Sequence, residues 1–215
     1  MIDLANYKKT FHEFAADVDF INDILNTLSL DKDSKILDIG TGMGAMSILL
    51  ALNGFHVLTG EPEVETERDG DDHHGHHHED INDVHCESHK EYDGEYWNDW
   101  RKSAKNLGVE DKIQYQNFDV QNLSFASRLF DGVFLYDTLQ HVKNRKLALN
   151  ECIRVLKISG VIVIIEWTKK QIEEDFKKYG YKIDYIDPRD FLNHEDITIE
   201  ALNSEVVNVY LIRKK

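Results

Sequence analysis

Apolar residues return at two different spacings along this chain, and the alternation between the spacings predicts its elements. Phe11, Phe14, Val18, Ile21, Leu25 and Leu28 recur at steps of three and four, the period of one amphipathic helix near the N-terminus. SKILDIG then reads as a short buried strand meeting a glycine turn, and AMSILLALNG behind it as a helix closed by Gly54. The order continues with strand HVLTGE, helix EYWNDWRKSAKNLG, strands KIQYQNFD and FDGVFLYD, helix KLALNECIRVLK, strand GVIVIIEW and helix KKQIEEDFKKYG. Strands that alternate with helices need crossover connections, so the pattern predicts an α/β fold, Rossmann-like, with a mostly parallel sheet and helices on both faces. The end of the chain departs from this rhythm. YKIDYID and EVVNVYLIRKK read as two strands with little helix between them, which predicts that the last strand runs antiparallel at or near the sheet edge.

One stretch follows neither period. Between the second strand and its helix, residues 63–90 hold almost no aliphatic side chains, and removing them closes the strand–helix alternation normally. They read as an insertion within one domain spanning 1–215, with too little apolar surface to bury itself unaided. Charge gathers in the same place. From Glu61 to Asp93 there are 13 acidic residues against Arg68 and Lys90, a net of −11 out of −15 for the whole chain, so the remainder is nearly neutral. A chain of this balance lacks the clustered Lys and Arg that nucleic acid or an anionic membrane surface requires. The longest aliphatic run, Val161 to Ile165, is far too short to span a bilayer, and MIDLANYKKTFHEF lacks the apolar core of a secretory leader. Two cysteines, Cys86 and Cys152, make no disulfide framework, and a soluble protein of the reducing cytoplasm is expected.

The chemistry centres on ILDIGTGMGA. Asp38 stands near the end of the first strand, and Gly40, Gly42 and Gly44 make a turn in which the backbone bends sharply and approaches a ligand without Cβ atoms in the way. Gly40, Gly42 and Ala45 also satisfy a looser dinucleotide pattern, so an NAD-dependent oxidoreductase is a competing reading. The neighbouring acids weigh against it. Glu61 ends the second strand, where a carboxylate accepts hydrogen bonds from ribose hydroxyls, and Asp119 ends the third, where it can hold an exocyclic amine beside the Val120 N–H. Three carboxylates at three successive strand ends repel a pyrophosphate and suit a cationic nucleoside.

With these motifs the chain resembles the class I S-adenosylmethionine-dependent methyltransferases of the small-molecule type. LDIGTGMG is similar to the first motif of that family, TGEP to its ribose-binding strand end, NFDVQNLSF to its adenine-side motif and FDGVFLYDTLQHV to its fourth. The resemblance covers nearly the whole chain apart from the insertion. It departs at Ile158-Ser159-Gly160, where the family usually has Pro-Gly before the fifth strand. The resemblance implies a seven-stranded sheet with an antiparallel last strand. It also implies S-adenosylmethionine as cofactor, with Asp38, Gly40, Gly42 and Gly44 facing its methionine part, Glu61 its ribose, Asp119 and Val120 its adenine, and Tyr136 the wall near the sulfonium. The partner it implies is a small-molecule methyl acceptor. Methyl transfer needs alignment and exclusion of water more than it needs a catalytic side chain, and no nucleophile is assigned.

Other residues carry weaker signals. His141 is either a base or a helix-start residue packed by the cofactor. For His12 an exposed helix position is the plainer reading, and for Trp97 and Trp100 packing is, while Trp167 follows Glu166 at the catalytic end of the fifth strand. Seven of the 11 histidines fall between His73 and His89, with Cys86 among them, a ligand set that suits Zn or Ni. The ligands expected are His85, Cys86 and His89 with His74, His76 or His78. A metal held there orders a lid or activates a soft acceptor. The alternatives are a solvated acidic loop and a metal-binding or metal-sensing protein built on a methyltransferase fold.

Overall fold

The computed structural model describes residues 2, 4–63, 99–180, 182–192 and 195–215. The strands are β1 (Ile36–Ile39), β2 (Val57–Gly60), β3 (Ile113–Tyr115), β4 (Phe130–Tyr136), β5 (Leu156–Trp167), β6 (Ile197–Asn203) and β7 (Val207–Lys214). They form one seven-stranded sheet in the order β3-β2-β1-β4-β5-β7-β6. The first five run parallel, β7 lies antiparallel to β5, and β6 lies antiparallel to β7 at the edge. The chain builds outward from β1 in one direction and from β4 in the other. Their carboxyl ends therefore flank the point where strand order reverses, which is where open α/β sheets leave a crevice.

The helices are α1 (Ala5–Phe11), α2 (Val18–Thr27), α3 (Ala45–Leu52), α4 (Trp100–Asn106), α5 (Arg145–Val155) and α6 (Lys169–Tyr179). Side chains alternate across each strand, so the continuous apolar runs of β4 and β5 serve two cores at once. Phe134, Val161, Val163 and Ile165 pack with the buried faces of α1 to α4. Val133, Leu135, Ile162 and Ile164 pack with Ala148, Leu149 and Cys152 of α5 on the other face.

Four expectations from the pattern are corrected. The N-terminal periodicity is not one helix: α1 ends at Phe11, a 3-10 turn covers His12–Ala15, and α2 begins at Val18, with His12 at φ +47°. Phe11, Val18, Ile21, Leu25 and Leu28 are buried, yet Phe14 is only half-buried, because the break turns it toward the carboxyl edge of the sheet. β5 begins at Leu156, earlier than GVIVIIEW, and across Ile158-Ser159-Gly160 its register against β4 jumps from Phe130–Leu156 to Gly132–Val161. The strand expected at YKIDYID is absent from its described residues, 182–187; Asp187 caps a 3-10 turn opening on Pro188, and the alternating segment Ile197–Asn203 supplies the edge strand. The last strand in sequence runs antiparallel one place in from that edge, as the sequence predicts. Finally, β3 is shorter than KIQYQNFD, although Gln116 N–H still donates to Thr59 O and Phe118 N–H to Glu61 O, so the chain continues to hug β2. That close approach explains Gly60, where a Cβ would lie 1.8 Å from Gln116 O.

Candidate cofactor site

The glycine turn leaves β1 with Gly40 at φ +84°, Gly42 at φ +45° and Gly44 at φ +81°, a left-handed series that residues with a Cβ adopt at a penalty. The three glycines do different work. A Cβ on Gly40 would meet Thr138 Oγ1 at 2.7 Å, and one on Gly44 would meet Trp100 Cβ at 2.7 Å, whereas Gly42 has nothing within 4 Å. Gly44 thus lets α3 and α4 close together, and Gly42 presents bare backbone to open space. That space is a cavity of about 510 Å³ at the carboxyl edge of the sheet. Gly40, Gly42, Glu61, Asp119, Val120 and Tyr136 all line it.

Two residues expected at the ligand lie elsewhere. Gly44 is behind the wall as described, and Asp38 is buried beneath the turn and is not among the lining residues. Asp38 Oδ2 accepts from Ser47 Oγ and from Thr59 Oγ1 at 2.9 Å, and Thr41 Oγ1 lies 2.9 Å from Thr59 Oγ1. Since the Thr59 hydroxyl proton goes to Asp38, the Thr41 hydroxyl must donate to Thr59, so a relay ties the turn to the strand end. Asp38 Oδ1 is buried without a hydrogen-bond partner. Burial pushes the carboxyl up to about 7, opposed by the Ser47 and Thr59 hydroxyls.

Around the rim, Gly42 N–H donates to Glu61 Oε2 at 3.2 Å, holding the half-buried carboxylate against the turn. Asp119 is exposed, and its Oδ1 accepts from Gln121 N–H at 2.8 Å, a turn that projects Val120 inward to near-complete burial. At the opposite end Tyr136 donates its hydroxyl to Phe14 O at 2.8 Å. The N-terminal segment is also anchored by Tyr7, whose hydroxyl donates to Ala45 O at 2.9 Å.

Several functional candidates escaped the sequence reading. Asp137 lines the cavity at φ +52°, and Glu166 is buried beside it, where its Oε1 accepts from Leu139 N–H at 3.0 Å. Burial raises Asp137 to about 7 and, with the negative charge of Asp137, raises Glu166 to about 8. The signal was available: Asp137 and Glu166 stand at the carboxyl ends of β4 and β5, as Asp38 and Glu61 stand at those of β1 and β2. His141 is exposed and lines the cavity, His12 is exposed, Trp100 is buried, and Trp167 is half-buried against Phe14 and Tyr136. Cys152 is buried in α5, and burial pushes its thiol up to about 12, which leaves it inert as a nucleophile. Trp97 and the metal-ligand candidates His74, His76, His78, His85, Cys86 and His89 lie outside the described residues. Among the described residues no group of three metal-ligating side chains occurs, and no helix is long and apolar enough to cross a membrane.

Comparison with known proteins bears on this arrangement. Residues 75–164 match the methyltransferase domain family, a span that takes in β3, β4 and most of β5 but not the glycine turn. A ubiquinone/menaquinone biosynthesis C-methyltransferase UbiE from Saccharophagus degradans is 34% identical over 79 residues, 35% of this chain and 32% of that protein. UbiE of Klebsiella pneumoniae is 30% identical over 79 residues, 37% of this chain and 32% of its own. The chain thus spans about a third of the length of the curated relatives it matches. In fold it is similar to the PH0226 protein of Pyrococcus horikoshii, with a TM-score of 0.62 at 18% identity over 95% of this chain and 92% of that one. It is also similar to the [4+2]-cyclase SpnF, with a TM-score of 0.54 at 12% identity over 91% and 81% of the two chains.

Proposed function

We propose that the chain is a class I S-adenosylmethionine-dependent methyltransferase that binds S-adenosylmethionine in the cavity at the carboxyl edge and methylates a small-molecule acceptor. The observation that carries this reading is the meeting of bare backbone at Gly42 with Glu61, Asp119 and Val120 around one opening. The residues present suit the group. Carboxylates accept from ribose hydroxyls and an adenine amine, while an anionic lining favours a sulfonium and opposes a pyrophosphate, which counts against NAD. The bound cofactor would supply a methyl group already activated on positive sulfur.

The chain's own part is then positional. Glu61 is fixed by the Gly42 N–H before any ligand arrives, so little ordering remains to be done on binding. The relay through Thr41, Thr59 and Asp38 holds the turn from beneath. Phe14 and Tyr136 close the β4 end with apolar surface, which excludes water from the region where a methyl group and an acceptor would meet. The test is calorimetry with S-adenosylmethionine, S-adenosylhomocysteine and NADH. Binding of the first two with roughly tenfold weakening in Glu61→Gln is expected. Binding of NADH in their place would transfer the site to the oxidoreductase reading.

Whether the SpnF likeness extends to chemistry is a separate matter, because a shared fold carries many reactions. Zn or Ni binding by residues 69–89 is likewise a distinct proposal, supported by the density of imidazole and thiol there.

A further inference from the structure

The β4 end of the cavity carries more chemistry than alignment of a methyl group requires. Asp137 sits in the left-handed region at φ +52°, a conformation that a non-glycine residue holds at a cost. Its backbone N–H is spent on Ile165 O at 2.9 Å, and the residue lines the cavity together with Phe14 and Tyr136. Trp167 stands behind them, its ring centroid 6.2 Å from that of Phe14 and 6.1 Å from that of Tyr136. Trp167 and the Gln140 amide both donate to the Asp137 carboxyl, which fixes its direction. The groups around it are mostly acids, Glu166 on β5, whose burial keeps it protonated near neutral pH, and Asp175 on α6, with His141 and Lys143 among the cavity lining and Arg145 acting on Glu166. A carboxylate gathered with further acids and flanked by aromatic faces matches one ligand chemistry, an organic cation.

We propose that Asp137, with Phe14 and Tyr136, forms an acceptor subsite for a primary or secondary amine bound as its ammonium. This names the acceptor class for the methyl transfer proposed above and rests on that reading. Charge pairing with Asp137 and contact with the two ring faces hold the ammonium at the β4 end, away from Glu61 and Asp119. An ammonium nitrogen has no free electron pair, so one N–H proton must first pass to the Asp137 carboxylate. The freed pair then forms the new N–C bond as the C–S bond breaks, its electrons staying on sulfur, which leaves as a neutral thioether, and the product is the methylated ammonium. The raised affinity of Asp137 for a proton, caused by burial and by Asp175, suits it to that exchange near neutral pH.

The test compares benzylamine with benzyl alcohol, a neutral probe of nearly the same shape, by tryptophan fluorescence and calorimetry on the full chain saturated with S-adenosylhomocysteine. A preference for the amine of roughly tenfold or more is expected in the wild type and its loss in Asp137→Asn. Asp137→Gly is the companion variant, because glycine accepts φ +52° freely and removes the carboxylate without straining the turn. Both variants should keep S-adenosylhomocysteine affinity within about twofold. Equal binding of both probes, or binding of neither, overturns the amine subsite while leaving cofactor binding intact. A loss of S-adenosylhomocysteine affinity in both variants assigns Asp137 to the cofactor instead and equally overturns it. Failure of the wild type to bind S-adenosylhomocysteine is the separate result that removes the underlying reading.

Discussion

Gly42 and Gly108 form a matched pair that separates the backbone role of a glycine from its role toward a ligand. Both have left-handed φ, +45° and +71°, and neither has any atom within 4 Å of where a Cβ would stand. Replacing either by Ala therefore introduces no clash and adds the same penalty, about 1 kcal/mol for placing a Cβ in that region. For a chain of this length that is a fall in Tm of roughly 2–4 °C in each variant. Gly42 lines the cavity and its N–H holds Glu61, while Gly108 lies in the turn after α4, outside the lining. A methyl group at Gly42 would occupy space that a ligand needs and force it outward, a misfit of about 1–3 kcal/mol. The expectation is that Gly42→Ala weakens S-adenosylhomocysteine binding by roughly 5- to 150-fold and that Gly108→Ala leaves it unchanged. Calorimetry for affinity and thermal unfolding for stability are the assays. Equal affinities in the two variants at equal stability would refute the placement of the cofactor against the Gly42 backbone.

Glu166 offers a pH test with a definite sign. A carboxyl raised to about 8 by burial is protonated in the folded chain, so its contribution is complete below its unfolded value and fades as pH rises through 8. Glu166→Gln should therefore gain on the wild type between pH 5 and pH 9 in urea unfolding, by up to about 4 kcal/mol, and parallel pH profiles would disprove it. Tyr7→Phe leaves Ala45 O without its 2.9 Å donor, and a loss of about 1–2 kcal/mol is expected; an unchanged Tm would mean that water replaces the hydroxyl. Protein purified without a histidine tag should carry Zn or Ni at neutral pH and lose it toward pH 5, and a variant lacking residues 69–89 should carry none; equal metal content by elemental analysis would end that proposal.

The parallel half of the fold was legible because its signals are local and redundant. SKILDIG, HVLTGE and FDGVFLYD are apolar on both faces, as strands covered by helices must be, and β1, β2 and β4 fall within them. The edge was harder. ITIEALN is polar at alternate positions and exposed on one side, so its signal is no stronger than that of YKIDYID, and the choice between them is settled by tertiary pairing with β7. The broken N-terminal helix was hidden for a related reason. Period alone records which residues face inward, and a 3-10 turn at His12–Ala15 keeps that face while shifting Phe14 onto a different partner, the cavity wall.

Strand ends made the site readable, and side-chain direction made part of it unreadable. Glu61 and Asp119 could be placed because the carboxyl ends of adjacent parallel strands lie side by side, so an acid at each end reaches the same crevice. Asp38 obeys the same rule in sequence and breaks it in space. It stands within β1 one residue before the end, its register partner is Thr59, and alternation along the strand sends its carboxyl under the turn toward Ser47 of α3. Asp137 is the converse case. It lies one residue past β4, where no alternation applies, and with its left-handed backbone fixed by the bond to Ile165 O it joins the cavity lining. Acids separated by a single position from a strand end thus do opposite work, one bracing the turn from below and the other lining the cavity. That difference decides which substitution should alter binding: removal of the Asp137 charge changes what the cavity selects, whereas removal of Asp38 loosens the relay through Thr59 and Thr41 that shapes it.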